Sequence, residues 1–220
     1  MGIPTAVTAA LLVVRIYHGV ETVGADVHAA LAEALAIMSR AAIAVSWIDC
    51  APARRGAAVD ARCAFPLAPH EVVLRILAKG PLVKGLLVPM GYTPVASEVA
   101  RTPRASSTTV PASTPDGAPG APTSQVPPVR PTLATVYADR VARVARDAGV
   151  DYRMVLGRAV AHELGHLLLN HTGHADHGVM KGTWSRDQLR RTQQAAWTFV
   201  ERDAAAMRAA LAARAADGRS

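Results

Sequence analysis

The stretch AHELGHLLLNHTGHADHGVM (161–180) holds five of the eight histidines in a chain of 220 residues, and its first half falls on a helix whose two ends are written in the sequence. Asp151 is placed to cap the start of this helix, which is expected from about Tyr152 to Leu169. Asn170 suits a left-handed terminator. His162 and His166 sit four apart in the last two turns, so their side chains rise from one face with Cβ atoms about 6 Å apart. That separation lets two imidazoles meet one ion at about 2.0 Å each. Glu163 follows the first histidine and is in reach of a water at such an ion. In the H-E-x-x-H arrangement the carboxylate takes the water's proton while the metal lowers its pKa and polarises a substrate carbonyl. At this chain's own His and Glu frequencies the pattern would arise by chance about 0.008 times, so two ordinary helix histidines are the weaker reading.

A catalytic zinc usually takes three protein ligands and leaves a fourth position for water. The candidates for the third are His171, His174, His177 and a glutamate on a later helix such as Glu201. His171 directly follows the helix end and would need the chain to reverse at once. His174 comes after Asn170 and Gly173, two residues that tolerate positive φ, which favours it. His177, beside Gly178, would fold back from a longer excursion. If four or more histidines close the coordination sphere, no water can be activated, and the site is structural or sensory instead.

Upstream the pattern alternates between strand and helix. The run 11–19 is rich in branched residues and ends at glycine, as a strand does. Over 24–42, Val27, Leu31, Ala34, Leu35 and Met38 recur at spacings of three and four and place one apolar face on a helix. Residues 44–50 and 71–77 read as strands, and 86–95 as a short strand confined by its prolines to an edge. From about Ser97 to Pro131 the composition shifts to Pro, Ser, Thr, Ala and Gly, with eight of the fifteen prolines. Such a segment buries too little to offset its ordering entropy, so it is expected to be a disordered insertion interrupting a single domain that spans 1–220. Residues 133–141 read as a strand running into a short helix with Val141, Val144, Ala145 and Ala148 buried, stopped by Gly149. Ser185 to Gln188 has the form of a capping box, and Leu189, Ala196, Val200, Met207 and Leu211 are expected to continue one long amphipathic helix.

Half of the residues are hydrophobic, enough for one good core. The net charge of +7 would permit an acidic partner. The arginines are scattered, however, and no reading motif accompanies them, so no nucleic-acid partner is expected. The N-terminal apolar run has no basic residue before it and is far shorter than the roughly 20 residues a bilayer crossing needs, so neither a secretory signal nor a membrane span is expected. The compartment stays open between cytoplasm and export. Cys50 and Cys63 flank a loop-like stretch and are equally compatible with a bridge and with two thiols.

The histidine stretch resembles the metzincin clan of zinc metallopeptidases, whose usual pattern is H-E-x-x-H-x-x-G-x-x-H followed by a methionine turn. Leu169 stands where that pattern has glycine, and Thr172 where it has the third histidine. It is more similar to small bacterial metzincin-like proteins of the form H-E-x-G-H-L-L-L, four residues, His, then G-[IV]-M and a nearby Trp. Here those positions are His162, Glu163, Gly165, His166, Leu167 to Leu169, His174, Gly178, Val179, Met180 and Trp184. The resemblance implies an α+β fold: a metzincin-like twisted mixed sheet with an active-site helix and a long C-terminal helix. It implies His162, His166 and His174 as ligands of one Zn2+ per chain, Glu163 as general base, and Met180 in a turn beneath the metal. The implied activity is that of a zinc metallopeptidase hydrolysing peptide bonds through a metal-activated water, with a peptide or protein as substrate. Gly165, inside the helix between the ligands, costs roughly 1 kcal/mol against alanine and suggests that a backbone or loop comes close there. Trp184 reads as a packing residue.

Overall fold

The computed structural model describes residues 10–19, 24–51, 59–81, 89–95 and 130–218. Within them the apolar runs become β1 (Ala10–His18), α1 (Gly24–Arg40), β2 (Ile43–Asp49), β3 (Glu71–Leu77), β4 (Gly91–Tyr92) and β5 (Leu133–Tyr137), followed by α2 (Ala138–Ala148) and α3 (Tyr152–Leu169). A single turn, α4 (Arg186–Leu189), precedes the C-terminal helix α5 (Glu201–Asp217). The strands form one mixed sheet in the order β2-β1-β3-β5-β4. The first four run parallel, and β4 pairs antiparallel with β5 as the terminal strand, so the fold is α+β with a mixed sheet.

Period-two alternation divides the strands between two faces. Leu12, Val14 and Ile16 of β1 and Val72, Leu74 and Ile76 of β3 enter the core shared with the helices. Val13, on the opposite face, packs with Ile48 and Cys50 in a second, smaller cluster. Beside it Arg15 is buried and paired with Glu71, and its guanidinium donates to the carbonyls of Phe65 (2.6 Å) and Pro66 (3.1 Å). Cys50 and Cys63 are joined in a disulfide with their Cα atoms 5.7 Å apart, which decides the question left open by the sequence.

The axis of the molecule is α3. It is buried along most of its length from Val155 to Leu168, enclosed by α1, α2, α5 and the β4–β5 end of the sheet. The Asp151 side chain accepts from the Arg153 N–H at 2.8 Å at its start, and Asn170 ends it at φ 51°.

Three expectations are corrected. Leu35 is 36% exposed, whereas Ala30 and Ile37 complete the buried face of α1. Val144 is only partly buried, because it lines a cleft. The capping box at Ser185 forms, but the helix it opens lasts one turn, and α5 restarts at Glu201. Tertiary contacts break it: the Arg158 guanidinium lies 3.8 Å from the Trp197 ring centre and donates to the carbonyls of Leu189 (2.9 Å) and Arg191 (3.0 Å). The Thr198 carbonyl accepts from the Val179 N–H at 3.1 Å. Residues 97–129 of the expected insertion lie outside the described residues. Its last two are packed, since Arg130 pairs with Asp217 and the Pro131 carbonyl accepts from Arg214 at 2.6 Å. No helix among the described residues is long and apolar enough to cross a membrane.

Candidate metal centre

His162 and His166 project from the last turns of α3. Each donates its Nδ1–H to a backbone carbonyl at 2.8 Å, His162 to Val179 and His166 to His171. A carbonyl only accepts, so these bonds fix the tautomer and leave both Nε2 atoms without a proton in the neutral rings. The two Nε2 atoms face each other at 3.0 Å. Burial is the main reason that both imidazoles are pushed down to a pKa of about 4, with smaller contributions from the neighbouring histidines.

His174 arrives from the loop that follows Asn170. Its ring centre lies 5.3 Å from that of His162 and 4.9 Å from that of His166, and the three rings offer nitrogens all within 4.8 Å of one another. Asn170, before His174, and Gly178 at φ 76°, after it, are in the left-handed region; Gly173, which the sequence nominated, is not. The bond from the Ala175 N–H to the Met180 carbonyl (2.9 Å) tightens the turn. His171 contributes its carbonyl rather than its ring, His177 is exposed and outside the group, and Glu201 is 84% exposed and paired with Arg208.

Two neutral imidazole lone pairs 3.0 Å apart repel each other unless a proton or cation lies between them. Ligands at about 2.0 Å around a tetrahedral zinc would stand about 3.3 Å apart. The donor set therefore fits zinc: three neutral nitrogens, two of them aimed by backbone carbonyls, the outer-shell arrangement common to histidine–zinc sites.

Met180 is buried beneath the helix, its sulfur against Gly165. A Cβ at Gly165 would lie 2.8 Å from the Phe199 ring. The close approach inferred there is real, but side chains make it, not backbone. Trp184 stands edge-on to His162 and Trp197, with ring centres 5.8 and 5.0 Å away.

Glu163 is 6% exposed. Burial pushes its carboxyl up to about 7, against the opposing effect of Thr93. The Thr93 hydroxyl lies 2.9 Å from Oε2 and 3.1 Å from the Glu163 backbone carbonyl, sharing its one proton between them. Gly91, two residues earlier and so on the same face, leaves room for that side chain: a Cβ there would fall 2.5 Å from its Cγ. Sequence reasoning missed both residues. The only local trace was a glycine and a threonine two apart on an edge strand. Glu163, the three histidines and β4 all line a cleft of about 440 Å³, which also takes in Met90, Val144, Lys181 and Trp184.

Fold and site together define a mixed α+β protein with a three-histidine group and a buried carboxyl on one open cleft. The structure is similar to the archaemetzincin from Methanopyrus kandleri (14% identity, 96% of this chain and 99% of that one covered, TM-score 0.50), and this likeness concerns the fold. A zinc-dependent peptidase from Methanocorpusculum labreanum is also similar (14% identity, 88% and 99% covered, TM-score 0.49). No protein-family model and no curated protein matches the sequence.

Proposed function

We propose that the chain is a zinc-dependent peptidase of the metzincin type, with His162, His166 and His174 holding the metal and Glu163 acting as general base. The observation that carries this reading is the pair of unprotonated Nε2 atoms 3.0 Å apart, with a buried carboxyl one residue along the same helix and a cleft reaching both. When bound, zinc supplies Lewis acidity toward the scissile carbonyl and toward water.

The remaining steps belong to the chain. Glu163 accepts the proton of the attacking water and returns it to the leaving amine nitrogen. A proton affinity near neutrality suits both directions of transfer. Thr93 and Gly91 hold the carboxyl in place. An extended substrate lies against β4, the terminal strand of the sheet, as peptides do when they add to a sheet edge. Met180, packed against Gly165, supports the floor of the histidine group.

The alternative, a closed non-catalytic histidine site, needs a fourth ring nitrogen. The rings of His171 and His177 stand outside the group, which supports the open site.

The test is zinc content and peptide hydrolysis measured side by side in the wild type, His174→Ala and Glu163→Gln. About one zinc per chain is expected in the wild type, with marked loss in His174→Ala. Glu163→Gln should keep its zinc and lose about 100-fold or more in turnover, the ordinary contribution of a general base. Undiminished turnover in that variant removes Glu163 as the base. A fully loaded wild type that cleaves nothing in a broad peptide mixture points to the closed site.

A further inference from the structure

The cleft is walled largely by uncharged groups, Met90, Val144, Ala159 and Trp184 among them. Leaving the histidines aside, two of its described lining residues have ionisable acidic or basic side chains, Glu163 and Lys181. The reaction accounts for Glu163 and makes no use of Lys181.

Lys181 is half-buried, and its Nζ donates to Gln188 Oε1 at 3.1 Å. That oxygen also accepts from the Ser185 N–H at 2.9 Å, within the capping box that opens α4, so the acceptor is itself fixed. Among the described residues no carboxylate forms an ion pair with Lys181. The ammonium is thus partly dehydrated, held in one place by a neutral amide, and left with donors to spare. A cation in that setting has given up hydration without charge compensation, which an anionic ligand would restore. Lys181 lines the same cleft as the three histidines, and the backbone of the next residue, Gly182, passes so near the third of them that a Cβ on it would be 3.0 Å from His174 Cγ.

We infer that Lys181 is a specificity-determining residue that selects substrates carrying a carboxylate close to the bond that is cut. This rests on the peptidase reading above. The carboxylate has two possible sources, an acidic side chain within the peptide or the free C-terminus of a short one. The chemistry of recognition is the same for both, a charge-assisted bond from a positioned ammonium.

The experiment uses zinc-loaded wild type and Lys181→Met. Matched peptides carry glutamate or glutamine beside the scissile bond, each with a free or an amidated C-terminus. Matched peptide hydroxamates, which bind zinc whether or not the protein is a peptidase, are titrated by calorimetry. The wild type is expected to favour the carboxylate-bearing member of a pair by about 10-fold or more, the usual scale of one charge-assisted hydrogen bond. Lys181→Met should erase that preference while leaving kcat/KM and affinity for the neutral member unchanged. Preference for glutamate identifies the side chain as the source, and preference for the free over the amidated terminus identifies the α-carboxylate. Equal treatment of the pairs by the wild type, or a preference that survives in Lys181→Met, overturns the inference. So does equal weakening toward every ligand, which would make Lys181 a structural tether of α4. If nothing is cleaved but the hydroxamates are discriminated through Lys181, the peptidase reading fails and the selection stands.

Discussion

At the scale of single residues, the proposed chemistry depends on how one carboxyl is held. Glu163 touches the Thr93 hydroxyl, just past the end of β4, and the space left by Gly91 within it, and both lie far from it in sequence. Thr93→Val removes the hydrogen bond and keeps the shape. We expect kcat to fall about 10-fold with zinc content unchanged, on the scale of one hydrogen bond to a charged group. Thr93→Ser should restore it. A Thr93→Val enzyme with full kcat would show that packing alone holds Glu163. The histidines follow the opposite logic. His162, Glu163 and His166 were legible from spacing because a helix fixes their relation locally. The partners that hold them, the carbonyls of Val179 and His171 and the residues of β4, come from loops and a strand that no local rule connects to the helix. His174 was legible only as one of several, since a loop's path is decided by where it packs. Asn170 is left-handed before His174 and Gly178 after it, whereas Gly173 does not adopt a left-handed φ.

At the scale of elements, α3 was read to its ends because its caps, Asp151 and Asn170, are adjacent to it in sequence. The C-terminal helix was read as too long because its interruption is tertiary. Nothing local announces that Arg158 will draw in the carbonyls of Leu189 and Arg191 and stack on Trp197. Gly165 shows the same competition as an energy. Alanine there gains about 1 kcal/mol of helix propensity. Its methyl would press on Met180 and Phe199, and overpacking a filled core costs about 1–3 kcal/mol. Gly165→Ala should therefore be net destabilising in urea denaturation, and a stabilised variant would show that Met180 and Phe199 yield freely. On the far side of the sheet, the Cys50–Cys63 bridge closes a short loop, for which the chain-entropy account gives about 3 kcal/mol. The double variant Cys50→Ser, Cys63→Ser should melt about 6–12 °C lower than the oxidised wild type. An unchanged midpoint would mean that the Arg15–Glu71 pair and its carbonyl partners hold this face unaided.

At the scale of the whole molecule, the proposed zinc site makes metal binding and folding one equilibrium. A ligand present at 100 times its Kd stabilises the folded state by about 2.7 kcal/mol, so added zinc should raise the melting point of the wild type by about 5–10 °C. The same addition should leave His174→Ala nearly unmoved, and equal shifts in both proteins would place the metal elsewhere. Deleting residues 101–129 should change the midpoint little if that stretch is the unpacked insertion its composition suggests, and a large drop would show that it packs. The sheet order gives this stretch a second meaning. β3 and β5 are neighbours, yet Val73 meets Leu133 across about 60 residues of chain, and β5 is followed by α2 and then by α3, which carries His162 and His166. Pairing β3 with β5 therefore requires a long closure, the kind of non-local pairing that slows folding. Halving the intervening length lowers the closure cost by only about 0.6 kcal/mol, too little to alter the melting point noticeably. Spent on the rate-limiting encounter, the same 0.6 kcal/mol is about a threefold faster return to the native state, so the shortened chain should differ from its parent in a stopped-flow trace rather than in a melting curve.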